Sequence, residues 1–142
     1  MRSLLDVNVL IALLDADHSL HGPAMKWFEA NARQGWASCP ITQNGCLRIM
    51  SHPAYPNAPP VRTILDRLAA ATATGLHEFW ADDVSLLDDR LLDHSRILGS
   101  RQITDLYLLA LAVTHGGRLV TFDTTIAHQA VRGATALHLV QL

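Results

Sequence analysis

Met-Arg-Ser-Leu-Leu-Asp-Val-Asn-Val-Leu-Ile-Ala-Leu-Leu, residues 1–14, sets a single carboxylate, Asp6, between a short apolar run and a longer one. Ser3-Leu4-Leu5 has the length of a strand, and the continuous apolar character of Val7 to Leu14 suits a buried helix docked on a sheet. Asp6 therefore falls at a strand-to-helix junction. An ionised carboxylate is costly in a low-dielectric interior unless it is paired, hydrogen-bonded or on a metal. The sequence thus predicts that Asp6 lies at an edge of the sheet where a positive partner can reach it.

Working outward, strands and helices alternate. Ala24, Trp27, Phe28 and Ala32 recur at helical spacing and Gly35 ends that helix, before a second strand at Trp36 to Cys39. Pro40 opens a third helix through Met50, stopped by Ser51-His52-Pro53. Residues 53–60 hold four of the 6 prolines and read as a surface loop, after which Val61, Ile64, Leu65 and Leu68 resume a helical period. His77 to Trp80 reads as a third strand, with Asp82 and Asp83 capping a helix that runs through Leu87 and Leu91. A polar, basic segment, 93–102, leads into the apolar helix of Leu106 to Val113, closed by Gly116-Gly117. Arg118 to Phe122 is a fourth strand, followed by a short helix near Thr125 to Ala130 and a last strand, Leu137 to Val140. The pattern predicts an α/β fold, a three-layer sandwich around a mainly parallel sheet of four to five strands.

The chain has 142 residues, 49% hydrophobic and 17% charged, which suits one domain over residues 1–142. A formal net charge of −2 provides no broad basic field, so any contact with nucleic acid must be local. Cys39 and Cys46 lack metal-ligand spacing and read as buried hydrophobes in a reducing compartment. The N-terminal apolar run carries Asp6 and no small-residue cleavage site, and no apolar stretch reaches membrane-span length. The expectation is a cytoplasmic protein without a membrane segment.

In a parallel sheet, ligands bind beyond the carboxyl ends of the strands. Asp6 follows the first strand, Asp123 follows the fourth, and Asp105 opens the helix that feeds the fourth. If strands one and four are central neighbours, the three acids converge on one edge. Each alone reads more readily as an N-cap or first-turn residue that satisfies free helix N–H groups. Together they repel one another unless a divalent cation neutralises them, and an all-oxygen set suits Mg²⁺ or Mn²⁺.

Four segments carry a resemblance beyond this chemistry: Leu-Leu-Asp-Val-Asn-Val-Leu-Ile at 4–11, Thr-Gln-Asn-Gly-Cys-Leu-Arg-Ile at 42–49, Ile-Thr-Asp-Leu-Tyr-Leu-Leu-Ala-Leu-Ala at 103–112 and Leu-Val-Thr-Phe-Asp at 119–123. In order and spacing the chain resembles PIN-domain ribonucleases of the VapC toxin type over essentially its whole length. The resemblance implies a PIN-like fold, with Asp6, Asp105 and Asp123 as catalytic and metal-holding residues. It also implies Mg²⁺, with Mn²⁺ as substitute, and in-line hydrolysis of RNA by metal-activated water, leaving 5′-phosphate and 3′-hydroxyl ends. The partners it implies are an RNA substrate, a cognate antitoxin wrapping the toxin, and a second copy in a homodimer. Two departures stand out: Gln43 occupies the position matched to the family's usual Glu, and Thr124 and Thr125 follow Asp123 where a further acid is common.

Asn8, Gln43, Thr104 and Thr121 are read as polar groups around the acids, with Asn8 orienting Asp6 and Thr104 alternatively capping its helix. Arg48, Arg96 and Arg101 are candidates for RNA phosphates, with ion pairs or a solvated loop as the plainer reading. The acidic run at Asp82, Asp83, Asp88, Asp89 and Asp93 reads as caps and solvated surface. The helix faces around Met25, Trp27 and Phe28, and around Ile64, Leu65 and Leu68, are candidate antitoxin surfaces, with core packing as the commoner reading. Two other functions stay open: a non-catalytic PIN-like RNA-binding module, and a phosphatase of the haloacid dehalogenase type. The phosphatase lacks a second Asp at Asn8 and a downstream Lys, since the only Lys is Lys26.

Overall fold

Strand β1, Ser3–Leu5, is the axis of the sheet. It pairs in parallel with β2, Trp36–Ser38, on one side and with β4, Arg118–Thr121, on the other, setting Leu4 opposite both Ala37 and Leu119. Strands β3, His77–Phe79, and β5, Leu139–Gln141, close the two edges in the order β3-β2-β1-β4-β5, all parallel. The computed structural model describes all 142 residues. From β1 the chain winds outward to β2 and β3, then returns to the opposite side of β1 as β4. That reversal opens a crevice at the carboxyl ends of β1 and β4.

Period-two alternation divides the strands between two cores. Leu4, Ala37 and Leu119 point to one face, covered by helix α5, Ile103–Thr114, together with Trp80, Leu92 and Val131. Leu5, Trp36 and Val120 point to the other, against α1, Val7–Leu14, α3, Pro40–Met50, and α4, Val61–Thr72, with Phe28 of α2, His21–Asn31, packed alongside. The result is the expected three-layer sandwich, with five strands.

Two glycines permit close approaches that position these layers. A Cβ on Gly117 would lie 2.6 Å from the Arg2 carbonyl oxygen and 2.7 Å from the Trp80 indole, so the turn into β4 depends on its absence. A Cβ on Gly45 would lie 2.9 Å from a Val7 methyl, which is how α3 nests against the start of α1.

Several boundaries differ from the sequence-based reading. No helix runs from Asp82 through Leu91; that stretch is turns, leading to a one-turn 3₁₀ helix at His94–Arg96. Short side chains there bind nearby backbone instead: Ser85 Oγ accepts from Leu87 N–H and Asp88 Oδ1 from Arg90 N–H, capping turns that compete with a helix. The short helix expected at Thr125 to Ala130 is reduced to a 3₁₀ turn at His128–Ala130. The last strand begins later than expected because Ala136–His138 forms a 3₁₀ turn capped by Thr135. Ile64 and Leu68, considered for a partner surface, are core residues, while Leu65 is exposed. No helix is long and apolar enough to cross a membrane.

Candidate active site

Strand β1 delivers Asp6 to the crevice as the N-cap of α1. Its Oδ1 accepts the Val7 N–H at 2.7 Å and its Oδ2 accepts the Thr121 hydroxyl at 2.8 Å, leaving the residue 8% exposed. Thr121 ends β4, fully buried, and its oxygen also accepts the Asp123 N–H at 3.0 Å. Asp123 is fixed in turn by Thr125, whose N–H and hydroxyl donate to Oδ1 at 2.7 and 2.6 Å. Asp105 arrives from above, in the first turn of α5. The neighbour relation of β1 and β4 thus brings together the three acids that lie far apart in sequence.

Electrostatics distinguish them. Burial, then the charges of Asp6 and Asp123, push the Asp105 carboxyl up to about 6. Burial also raises Asp6, tempered by its bonds to Thr121 and Val7, with the Asp123 charge adding to the rise. Asp123 is held below the ordinary carboxylate range by Thr125. None of the three forms an ion pair with a basic side chain. The site therefore concentrates negative charge that the chain does not itself neutralise.

The acids line a cleft of about 600 Å³ with Thr104 and Asn8. Asn8 faces this cleft without orienting Asp6, a task that falls to Thr121 and the Val7 N–H. Thr104 does not cap α5, whose N-cap residue is Gln102. The α3 wall corrects the placement of Gln43: its amide donates to Ser38 Oγ at 2.9 Å and the side chain is not part of the cleft. Ile41, Asn44, Gly45 and Arg48 face the cleft instead, one helical stripe at spacings of three and four. Arg48 is in no ion pair there. Arg101 lines an adjoining hollow of about 310 Å³ that shares Asp105 and Asp123 as its wall. Arg96 lies outside both hollows, paired with Asp93 at 3.3 Å. Asp82, read from sequence as a cap, is an additional acid on the main cleft. Only knowledge that β3 ends beside β2 would have revealed it.

As the side chains stand, no three His, Cys, Asp or Glu residues form a finished cage around one point. Their chemistry nevertheless fits a hard divalent cation. The donors are all oxygens, two carboxyls are raised by burial and mutual repulsion, and no basic side chain is paired with them.

Known proteins resemble this chain in sequence and in fold. The sequence matches the PIN domain over residues 3–131. It is 55% identical over 142 residues to Ribonuclease VapC44 of Mycobacterium tuberculosis, covering 100% of both chains. It is 42% identical to Ribonuclease VapC39 of the same organism, over 94% of this chain and 96% of that one. Among solved structures, Mycobacterium tuberculosis VapC20, described as a sarcin-ricin loop cleaving toxin, superposes with a TM-score of 0.59 at 14% identity, covering 87% and 91% of the two chains. VapBC2 from Rickettsia felis, bound to a DNA fragment from its promoter, gives 0.58 at 16% identity over 87% and 89%. These two likenesses concern the fold alone. The chain belongs to the PIN domain family and, within it, to the VapC ribonucleases.

Proposed function

We propose that residues 1–142 form one PIN domain, a cytoplasmic endoribonuclease that is the toxin of a toxin–antitoxin pair. Asp6, Asp105 and Asp123 are its catalytic acids, holding Mg²⁺, with Mn²⁺ as substitute. The observation that carries this reading is the convergence of three carboxylates without a basic partner at the switch point of the sheet. The 55% identity to a named ribonuclease over the full chain supports the activity.

A divalent cation bound here supplies positive charge against the phosphodiester and activates water for attack. The chain's own residues do the rest. Thr121 and the Val7 N–H fix the rotamer of Asp6, so one acid is preorganised. Asp105, whose carboxyl burial and the charges of Asp6 and Asp123 push up to about 6, would hold the cation beside Asp6 and Asp123, and the cation would relieve that repulsion. Arg48 and Arg101, in the hollows on either side of the acids, are placed for the RNA backbone. Asp6 is poorly placed to act as a nucleophile itself, because one of its oxygens accepts the Val7 N–H and the other the Thr121 hydroxyl. The phosphatase reading, which needs a free nucleophilic Asp6, loses its support.

A cognate antitoxin and a homodimeric state complete the proposal. An apolar hollow of about 290 Å³ lies between α1, α2 and β2, lined by Leu10, Leu14, Met25, Phe28 and Trp36, and suits the apolar face of an antitoxin segment. The decisive experiment is cleavage of RNA oligonucleotides by the full chain with Mg²⁺ or Mn²⁺. Asp6→Asn and Asp105→Asn, with fold verified by circular dichroism, are expected to abolish cleavage; full turnover by Asp105→Asn refutes the assignment.

A further inference from the structure

The three-acid centre leaves one acid of the cleft without a role. Asp82 follows β3 and lines the same cleft as Asp105, exposed on a segment anchored at both ends. On one side the Trp80 backbone N–H donates to the Ser38 carbonyl at 2.9 Å, and its buried indole stacks on His115 at 4.6 Å with the rings 14° apart. On the other, Asp83 Oδ1 meets His115 Nε2 at 3.0 Å. Asp82 thus stands between two residues tied to the end of α5, and it forms no ion pair.

Its surroundings differ from those of the other acids. The charges that raise Asp105 are Asp6 and Asp123, whereas Asp82 bears on Tyr107 and on the thiol of Cys39, the N-cap of α3, which hydrogen-bonds it. Asp82 therefore belongs to the part of the cleft over the start of α3. There Pro40 and Ile41 provide apolar surface and Asn44 an amide. A carboxylate on a nucleic-acid cleft repels phosphate, so its partner in a bound RNA is a donor. Ionised, it is acceptor-only, with two oxygens side by side. Guanine alone offers two adjacent donors, N1–H and the 2-amino group, on its Watson–Crick edge. Adenine and cytosine alternate donor with acceptor, and uracil sets one donor between two carbonyls. That edge is free only in single-stranded or looped RNA, where bases splay out to be read.

We propose that Asp82 is a base-reading residue of this cleft, accepting N1–H and the 2-amino group of an unpaired guanine near the scissile phosphate, with Pro40 and Ile41 beside the base. The inference rests on the ribonuclease reading above and assigns that site its substrate class.

The test digests single-stranded RNA oligonucleotides with a randomised core, using the full chain and Mg²⁺, and sequences the cut ends. The preferred oligonucleotide is then made with inosine, which lacks the 2-amino group, in place of the guanine. The wild type is expected to cut near guanine and to lose about tenfold or more in kcat/KM on inosine, the effect of one hydrogen bond to a charged group. Asp82→Asn, which presents a donor beside an acceptor, should erase the inosine penalty and enrich cuts near adenine. Asp82→Ala should erase the penalty without that gain, both variants keeping the wild-type Tm. A wild type indifferent to guanine, or variants that keep the inosine penalty, overturns the proposal. If the wild type cuts and Asp105→Asn does not, such a result removes the Asp82 inference alone. A wild type that cuts no RNA removes the ribonuclease reading and the inference with it.

Discussion

The Thr121 hydroxyl donates to Asp6 Oδ2 at 2.8 Å and accepts the Asp123 N–H at 3.0 Å, so one buried oxygen couples the ends of β1 and β4. Thr121→Val keeps the shape and removes both bonds. It leaves a buried carboxylate oxygen and a backbone donor unsatisfied, a loss of about 2–4 kcal/mol. Urea unfolding should show that loss at constant m-value, with weaker Mn²⁺ binding because Asp6 is then harder to ionise. A loss under about 0.5 kcal/mol would mean that water replaces the hydroxyl at no cost.

Asp105 gives the protein a pH signature whose sign differs with and without the cation. Its carboxyl titrates near 6 in the folded chain against 3.8 for the unperturbed group. Between those values the folded state binds more protons than the unfolded state, so in EDTA this residue lowers stability as pH rises through the window. Asp105→Asn removes the effect. The variant should be more stable than wild type at pH 8 in EDTA, with the difference shrinking toward pH 4. Cation binding runs the other way, because the proton must leave: wild-type Mn²⁺ affinity should fall by up to about tenfold per pH unit below about 6. Melting curves of both proteins at pH 5 and 8, with EDTA or Mn²⁺, check both halves. Equal stability of the two proteins at pH 8 in EDTA would contradict the strained carboxylate.

What could be read from the sequence follows from the range of each interaction. Asp6 at a strand-to-helix junction is a local property, visible in fourteen residues. Its meeting with Asp123 depends on β1 and β4 being neighbours, and with Asp105 on the start of α5 reaching the same cleft; the sequence carried both only as a condition on strand order. Gln43 and Asn44 show where legibility stops. One residue is about 100° of helix rotation, and the phase of α3 is set by the close contact of Gly45 with Val7, a tertiary fact. The helix expected from Asp82 through Leu91 failed for the opposite reason: local capping by Ser85 and Asp88 outweighed a weak apolar periodicity. Asp82 entered the cleft through the β2–β3 pairing, to which nothing near it in sequence points.

The Gly45–Val7 contact yields a coupled prediction. Gly45→Ala should gain about 1 kcal/mol of helix propensity, yet its Cβ would sit 2.9 Å from a stiff β-branched methyl. Overpacking of this kind costs about 1–3 kcal/mol. The single variant should therefore be neutral to destabilised. In a Val7→Ala background the same change should become stabilising. A double-mutant cycle by urea denaturation measures the difference, and additivity of the two changes would show that α1 and α3 simply move apart.

Three arginines separate the route of the RNA. Arg48 lines the main cleft and Arg101 the adjoining hollow, both without a carboxylate partner, whereas Arg96 is paired with Asp93 away from both. If phosphates lie in the two hollows, Arg48→Ala and Arg101→Ala should each raise KM about tenfold, the effect of one charge-assisted contact. Turnover at saturation should change little, because neither residue holds the cation. Each should also make binding less sensitive to salt, reducing the slope of log K against log salt by about 0.7 for a single-stranded substrate. Arg96→Ala should leave KM and the salt slope at wild-type values. Titrations of a fluorescent oligonucleotide against the Asp105→Asn background, at several salt concentrations, read binding without cleavage. Equal weakening by Arg96→Ala and Arg48→Ala would instead route the RNA over the 93–96 turn.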